Sequence, residues 1–131
     1  MKLKTILLLL LLCNATTLLA QDKKEDCQQF RTGIYQYIND SSELIIVKRT
    51  KRFQEERNHK TGQVDKMKIK WTSDCTYEIK QYWSSNKQQR KNKGQTSVQI
   101  VKTYEDRYDF TCACKNPETT PFATGTMIKI K

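Results

Sequence analysis

The chain has a single histidine and lacks any grouping of residues typical of a catalytic centre. One histidine, His59, cannot form the cluster of imidazole ligands that zinc prefers, and nothing suggests a Ser-His-Asp set. Glu55 and Glu56 are neighbours in a predicted strand, so their side chains point to opposite faces and cannot act as an acid and base pair. We therefore expect a non-enzymatic protein with no catalytic residue, no metal site and no cofactor.

The sequence also lacks an apolar run long enough to span a membrane, which takes roughly 20 residues. The run from Ile6 to Leu12 follows Lys2 and Lys4 and is soon interrupted by Asn14. A short apolar segment behind a basic start, with a small residue at Ala20, is the plan of a cleavable signal peptide. We expect residues 1–20 to be removed and 21–131 to form one exported domain, periplasmic or extracellular; an uncleaved membrane anchor is the alternative.

Acidic residues are few beside the basic ones: 24 Lys and Arg face 14 Asp and Glu, a net charge of +10. The leader carries two lysines and no acid, so the charge falls to +8 after cleavage. Such a charge favours anionic partners or serves solubility. The segment from Ser84 to Gly94 contains no acid, and its cations are candidate anion-binding residues: Lys87, Arg90, Lys91 and Lys93. Tyr82 and Trp83 flank this loop. The alternative interpretation is that the loop is a solvated hairpin tip. A second basic cluster spans a predicted tight turn: Lys48, Arg49, Lys51 and Arg52.

Convincing helical periodicity is absent downstream of the leader, where apolar residues alternate with polar ones and turn residues recur at short intervals. Eight strands are predicted, at 30–38, 43–50, 52–58, 63–71, 75–83, 95–104, 107–114 and 122–130. Short connections favour an all-β, antiparallel up-and-down meander. Closing it into a small lipocalin-like barrel removes the exposed sheet edges. An open sheet or flattened half-barrel is the alternative.

Alternation also predicts which side chains face inward. They are Cys75, Tyr77, Ile79, Gln81 and Trp83 on one strand; Val98, Ile100 and Tyr104 on the next; Tyr108, Phe110, Cys112 and Cys114; and Phe122, Ile128 and Ile130. Hydrophobic residues make up only 37% of the chain. The scarcity of large apolar side chains argues against a wide, empty lumen.

Four cysteines remain after cleavage, and an even number in an exported chain indicates disulfides. All of them are candidates: Cys27, Cys75, Cys112 and Cys114. Three pairings are possible, but strand direction puts Cys27 and Cys75 at one rim of the barrel and the other two at the opposite rim, which favours a Cys27–Cys75 bridge. The Cys112-Ala-Cys114 pair is either structural or a site of thiol or soft-metal chemistry.

Two motifs, Cys27-Gln-Gln-Phe-Arg-Thr-Gly33 and Trp71-Thr-Ser-Asp-Cys75-Thr-Tyr77, resemble those of a family of small exported bacterial proteins of unassigned function. The resemblance covers about Cys27 to Ile79. It implies no established activity, fits a Cys27–Cys75 bridge, and suggests that Arg31, Arg49 and Glu56 form a polar cluster of the barrel. Some members carry a DNA topoisomerase IV label, which does not suit 111 exported residues, because an ATPase fold, a cleavage domain and a metal site need more chain.

These observations predict an exported binding protein whose partner is a small amphipathic ligand in the lumen or an anionic component of the envelope. Peripheral contact with a membrane is compatible with the charge, whereas specific nucleic-acid binding and a transmembrane span of the mature chain are not expected. A protein-interaction or immunity-type module is the alternative. A thiol-redox protein using Cys112 and Cys114 is a further one.

Overall fold

The computed structural model describes residues 25–91, 94–113 and 123–131, which form eight strands and two short 3₁₀ helices. The predicted signal peptide lies outside these ranges. The helices span Gln28–Phe30 and Gln89–Lys91. The strands are β1 (Gly33–Ile38), β2 (Leu44–Arg49), β3 (Phe53–Asn58), β4 (Val64–Trp71), β5 (Thr76–Ser84), β6 (Gln95–Thr103), β7 (Arg107–Ala113) and β8 (Ala123–Lys129). The predicted strands match these elements with small shifts at their ends.

The strands form a closed antiparallel barrel in which each pairs with the next along the chain. The last strand returns to the first, where Tyr35 pairs with Lys129 and Gln36 with Ile128. Closure gives each of the eight described strands a partner on both sides. The fold is therefore the predicted all-β, small lipocalin-like barrel, and the open-sheet alternative is wrong.

The first strand begins later than predicted, because Phe30 belongs to the 3₁₀ helix that precedes it. Gly33 opens β1 with a φ of +141°, a conformation that side chains rarely adopt. A Cβ at this position would lie only 2.8 Å from the carbonyl oxygen of Lys131. Glycine thus lets the end of the chain pack against β1, where the amide of Ile34 donates to that same oxygen at 2.7 Å.

Two bulges change which residues face inward. The β4–β5 register shifts between Lys66 and Met67, so Ser84 is buried whereas Trp83 is 36% exposed, contrary to the predicted alternation. A second shift in β6 ends the inward pattern after Ile100, and Tyr104 lies beyond the strand. Bulges add one residue to one strand and therefore reverse the faces of those that follow.

The last strand also presents the opposite face from the predicted one. Met127 is buried, whereas Ile128 and Ile130 are 38% and 54% exposed. The prediction was wrong here because the inward position two residues before Met127 is Gly125, whose missing side chain leaves room for the ring of Phe110. Phe122 lies outside the described residues.

Aromatic residues fill one end of the barrel, which we call the closed end. Phe30, Tyr35 and Tyr108 have no exposed surface, and Tyr77 is almost as buried. The ring of Phe30 lies 5.0 Å from that of Tyr108, and the rings of Trp71 and Tyr77 are 4.7 Å apart. Each such ring buries a large apolar surface, so this end carries much of the hydrophobic stabilisation.

The Cys27–Cys75 disulfide joins the segment before β1 to the turn before β5, with 5.2 Å between the Cα atoms. This is the bridge that strand direction favoured. Cys112 lies on β7, near the opposite, open end, where it lines a cavity together with Tyr37. Cys114 lies outside the described residues. In the part of the chain that the structure covers, no helix is long and apolar enough to cross a membrane.

Candidate ligand cavity in the barrel

A buried arginine lies at the closed end. Arg49 ends β2 with its side chain inward, and only 3% of its surface is exposed. Its Nε donates to Gln54 Oε1 at 2.8 Å, its Nη1 to the carbonyl oxygen of Phe30 at 3.0 Å and its Nη2 to the hydroxyl of Tyr77 at 3.0 Å. These acceptors are neutral. The guanidinium also lies 4.7 Å from the centre of the Tyr77 ring and 5.0 Å from that of Tyr35, distances at which an aromatic face attracts a cation.

A chain of polar side chains leads from this arginine towards the open end. Gln54 and Glu56 both point inward because they are two residues apart on β3. Gln54 Nε2 donates to Glu56 Oε1 at 2.8 Å, and the hydroxyl of Tyr37 donates to Glu56 Oε2 at 3.0 Å. The amide of Gln54 thus accepts from the cation with its oxygen and donates to the carboxylate with its nitrogen. Gln54 thus links the carboxylate of Glu56 to the guanidinium of Arg49.

The third residue of the predicted polar cluster lies elsewhere. Arg31 is partly exposed, with its guanidinium 4.9 Å from the ring centre of Trp71 and 3.7 Å from the carboxylate of Asp74. The structure thus brings together Arg49 and Glu56 and leaves Arg31 outside. Glu55 behaves as its strand position predicts, since it faces outward and pairs with Arg57 and Lys66 at 3.8 and 3.9 Å.

Burial dominates the acid–base properties of this interior. It raises the pKa of the Glu56 carboxyl, against the hydrogen bonds from Gln54 and Tyr37, and the nearby charge of Asp65 raises it further. Burial likewise raises the pKa of the Tyr37 hydroxyl, and the adjacent Glu56 adds to the effect. Burial also raises the pKa of Tyr35, to about 12. These hydroxyls therefore stay protonated near neutral pH and act as hydrogen-bond donors.

Beyond the chain of polar side chains, the barrel contains a cavity of about 300 Å³, which we call the lumen cavity. Its walls come from β1 and from β3 through β8. Most of its lining is apolar, and the largest contributors are Met67, Ile79, Val98, Phe110 and Met127. Polar groups enter from one side, where Tyr37, Gln54 and Glu56 line it. A barrel of eight strands is wide enough to hold one small ligand in this way.

A second cavity of about 310 Å³, which we call the mouth cavity, adjoins the first at the open end. Its lining is almost entirely polar. It has three carboxylates, from Glu43, Glu56 and Asp65, and four amides, from Asn39, Asn58, Gln63 and Gln89. Tyr37, Asn39 and Glu56 line both cavities, so the two share a wall.

The carboxylates of the mouth cavity differ in how well they are satisfied. Glu43 Oε2 accepts from Asn58 at 2.7 Å and from Asn39 at 3.4 Å, and its Oε1 lies 3.5 Å from Lys60 Nζ. Those two amide hydrogen bonds lower the pKa of Glu43. Asp65 accepts from Gln63 through Oδ2 at 2.9 Å, whereas its Oδ1 is buried and finds no hydrogen-bond donor among the described residues.

Residues 25–91, 94–113 and 123–131 contain no group of three His, Cys, Asp or Glu side chains that could hold a metal ion. His59 is exposed in the turn between β3 and β4.

The candidate anion-binding residues lie in the loop between β5 and β6, near the second 3₁₀ helix. Lys87, Arg90 and Lys91 are exposed there, and Lys93 lies outside the described residues. Arg90 is held within the loop, since its Nε donates to the carbonyl oxygen of Ser84 at 2.6 Å and its guanidinium lies 5.4 Å from the Trp83 ring.

The second basic cluster divides between the surface and the core. Lys48, Lys51 and Arg52 are exposed, whereas Arg49 is the buried cation described above. Arg49 therefore does not belong to a surface cluster, because its strand position turns it inward while Lys48 points out.

Sequence reasoning missed Tyr37, Gln54 and Asp65 as residues of the cavities. The alternation of Gln54, Glu56 and Asn58 along one strand was a usable signal, since it predicts a polar inner face for β3. Comparisons with protein-family models, curated proteins and solved structures found no match. The resemblance of the two cysteine-containing motifs to an exported bacterial family therefore stays a prediction.

Proposed function

We propose that this protein is an exported, non-enzymatic binding protein that takes a small amphipathic ligand into its barrel. The observation that carries the proposal is the lumen cavity, with apolar side chains over most of its wall and Tyr37 and Glu56 on one side. Small-molecule sites have this character: largely apolar, roughly 300–1,000 Å³ in volume, with a few polar groups that set orientation.

The rigidity of the surroundings supports the proposal. The walls are strands of a closed barrel, and the closed end is held by packed aromatic rings, by Arg49 and by the Cys27–Cys75 bridge. A wall that is already ordered loses little conformational entropy when a ligand binds. The disulfide also suits an oxidising compartment, in keeping with export through the predicted signal peptide.

The test is a fluorescence titration of the purified protein with N-phenyl-1-naphthylamine, a neutral apolar dye that brightens in apolar surroundings. We expect saturable binding of one dye per protein. The variant Thr96→Phe should weaken binding at least tenfold, because Thr96 lines the lumen cavity and a phenyl ring would occupy it. Gln99→Phe is the matched control, since Gln99 lies on the same strand but is exposed.

Saturable binding that Thr96→Phe leaves unchanged, or no saturable binding, would overturn the proposal. Salt separates it from the anionic-surface alternative. Dye binding in the lumen should persist in 0.5 M NaCl, whereas attachment to anionic vesicles through Lys87, Arg90 and Lys91 should collapse. Salt-sensitive vesicle binding without dye binding would instead indicate that the basic loop is the functional site.

A further inference from the structure

We propose, on the basis of the lumenal binding argued above, that the ligand is a cationic amphiphile: an organic ammonium ion on an apolar body. The ammonium group would lie in the mouth cavity between Glu56 and Asp65, and the apolar body in the lumen cavity.

Charge sets the mouth cavity apart from the rest of the molecule. The chain as a whole is strongly basic, with a net charge of +10. The mouth cavity nevertheless has three carboxylates in its lining, and among the described residues no lysine or arginine lines it. A recess lined by carboxylates attracts cations, even on a protein whose net charge is positive.

Asp65 gives the second, independent observation. Its Oδ1 atom is buried and has no hydrogen-bond donor within the described part of the chain. A buried carboxylate oxygen without a donor costs free energy, because water is lost and nothing replaces it. An ammonium group in the mouth cavity supplies up to three N–H donors and a positive charge to the Asp65 carboxylate, whose one hydrogen-bond donor among the described residues is Gln63.

The other two carboxylates are already compensated. Glu43 lies beside Lys60 and accepts from two asparagine amides, and Glu56 is linked through Gln54 to the buried charge of Arg49. Among the described residues Asp65 accepts a hydrogen bond only from the amide of Gln63. Its charge disfavours ionisation of the neighbouring Glu56. A cation between these two carboxylates would relieve their repulsion.

The shared wall fixes the orientation of the ligand. Tyr37 and Glu56 line both cavities, so a group that contacts Glu56 from the mouth cavity lies next to the apolar side chains of the lumen cavity. An ammonium in the lumen itself would lose its water to methionine and isoleucine side chains, which cannot replace it. The apolar body therefore points inward and the charged group outward.

The experiment compares three ten-carbon compounds that differ only in the head group: decylamine, decanol and decyl sulfate. Each compound is titrated as a competitor of N-phenyl-1-naphthylamine bound to the protein, at pH 7 in 0.15 M NaCl. The concentration of each compound stays below its own critical micelle concentration. We expect decylamine, which is protonated at this pH, to compete at least tenfold more tightly than decanol. Decyl sulfate should compete more weakly than decanol.

Asp65→Asn should reduce the preference for decylamine over decanol, measured as the ratio of their competition constants, at least fivefold. Glu56→Gln should do the same, and it serves as the second variant should Asp65→Asn fail to fold. Glu78→Gln is the matched control, because Glu78 belongs to β5 but lines a depression on the outer surface with Lys68 and Lys70.

Equal competition by the three compounds, or a preference for decyl sulfate, would overturn the inference and leave lumenal binding intact. A preference for decylamine that neither cavity variant reduces would also overturn it, since the cation would then bind elsewhere. Failure of the dye to bind at all would instead overturn the proposed function.

Discussion

Replacing Arg49 by methionine should destabilise the barrel by about 3–5 kcal/mol, the usual cost of removing one partner from a buried charged network. The guanidinium donates hydrogen bonds to Gln54, Phe30 and Tyr77. Each bond from a charged donor contributes about 1.5–3 kcal/mol, but burying the cation costs several kcal/mol, so the net loss is smaller than the sum. Against a typical total of 5–15 kcal/mol, this is a large fraction of the stability.

Urea unfolding followed by tryptophan fluorescence measures the effect. With an m value of about 1–2 kcal/mol per molar urea, the midpoint should fall by roughly 1.5–5 M. Arg49→Lys should recover only part of the loss, since an ammonium cannot reproduce the planar fork that reaches three acceptors. Arg31→Met is the surface control and should change stability by less than about 1 kcal/mol. A loss for Arg49→Met no larger than that of the control would refute this account of the closed end.

Three further predictions concern the disulfide, the inner wall and the buried carboxyl. Removing the Cys27–Cys75 bridge, which spans 48 residues, should cost about 4 kcal/mol in the chain-entropy model, measured by urea unfolding of the double serine variant. Gly125→Ala places a Cβ 2.7 Å from the ring of Phe110; we expect a loss of about 1–3 kcal/mol in thermal unfolding and weaker dye binding as the ring moves into the lumen. The pKa of Glu56 is raised in the folded state, so its contribution to stability is fully present below the unfolded pKa and is lost as pH rises through the folded pKa. The stability of the wild type relative to Glu56→Gln should therefore decline from pH 4 to pH 8; a constant difference would contradict the raised pKa.

The alternation of apolar and polar residues predicted most of the fold. Tyr108, Phe110 and Cys112 share the inner face as predicted, and the short turns led to the up-and-down order. The errors arose where local pattern and three-dimensional packing disagree. A bulge reversed Trp83, and nothing in its neighbouring residues marks the extra position. On β8 the apolar Ile128 faces outward, because the inner face needs a glycine opposite a large ring, and glycine carries no hydrophobic signal.

The candidate site was less predictable because its members come from distant parts of the chain. The resemblance suggested that Arg49 and Glu56 belong together, but not that Gln54 joins them. Asp65 lies directly opposite Glu56 in the β3–β4 pairing. Tyr37, in contrast, reaches Glu56 across the intervening β2, a contact between non-adjacent strands that strand spacing does not encode. The basic loop stood out in sequence because its cations are contiguous, whereas carboxylates that converge in space are dispersed in sequence.

The buried arginine stabilises the closed end and also affects the cavity at the open end. Its positive charge lowers the pKa of Glu56, in opposition to burial, and the hydrogen bond through Gln54 favours the ionised carboxylate. Arg49 and Glu56 together are neutral, so Glu56 alone would not make the mouth cavity attractive to a cation. Asp65 adds the charge that no buried cation offsets within the described residues. The preference for an ammonium ligand should therefore depend on Asp65 for its excess negative charge and on Arg49, whose charge opposes the rise in the pKa of Glu56 that burial causes.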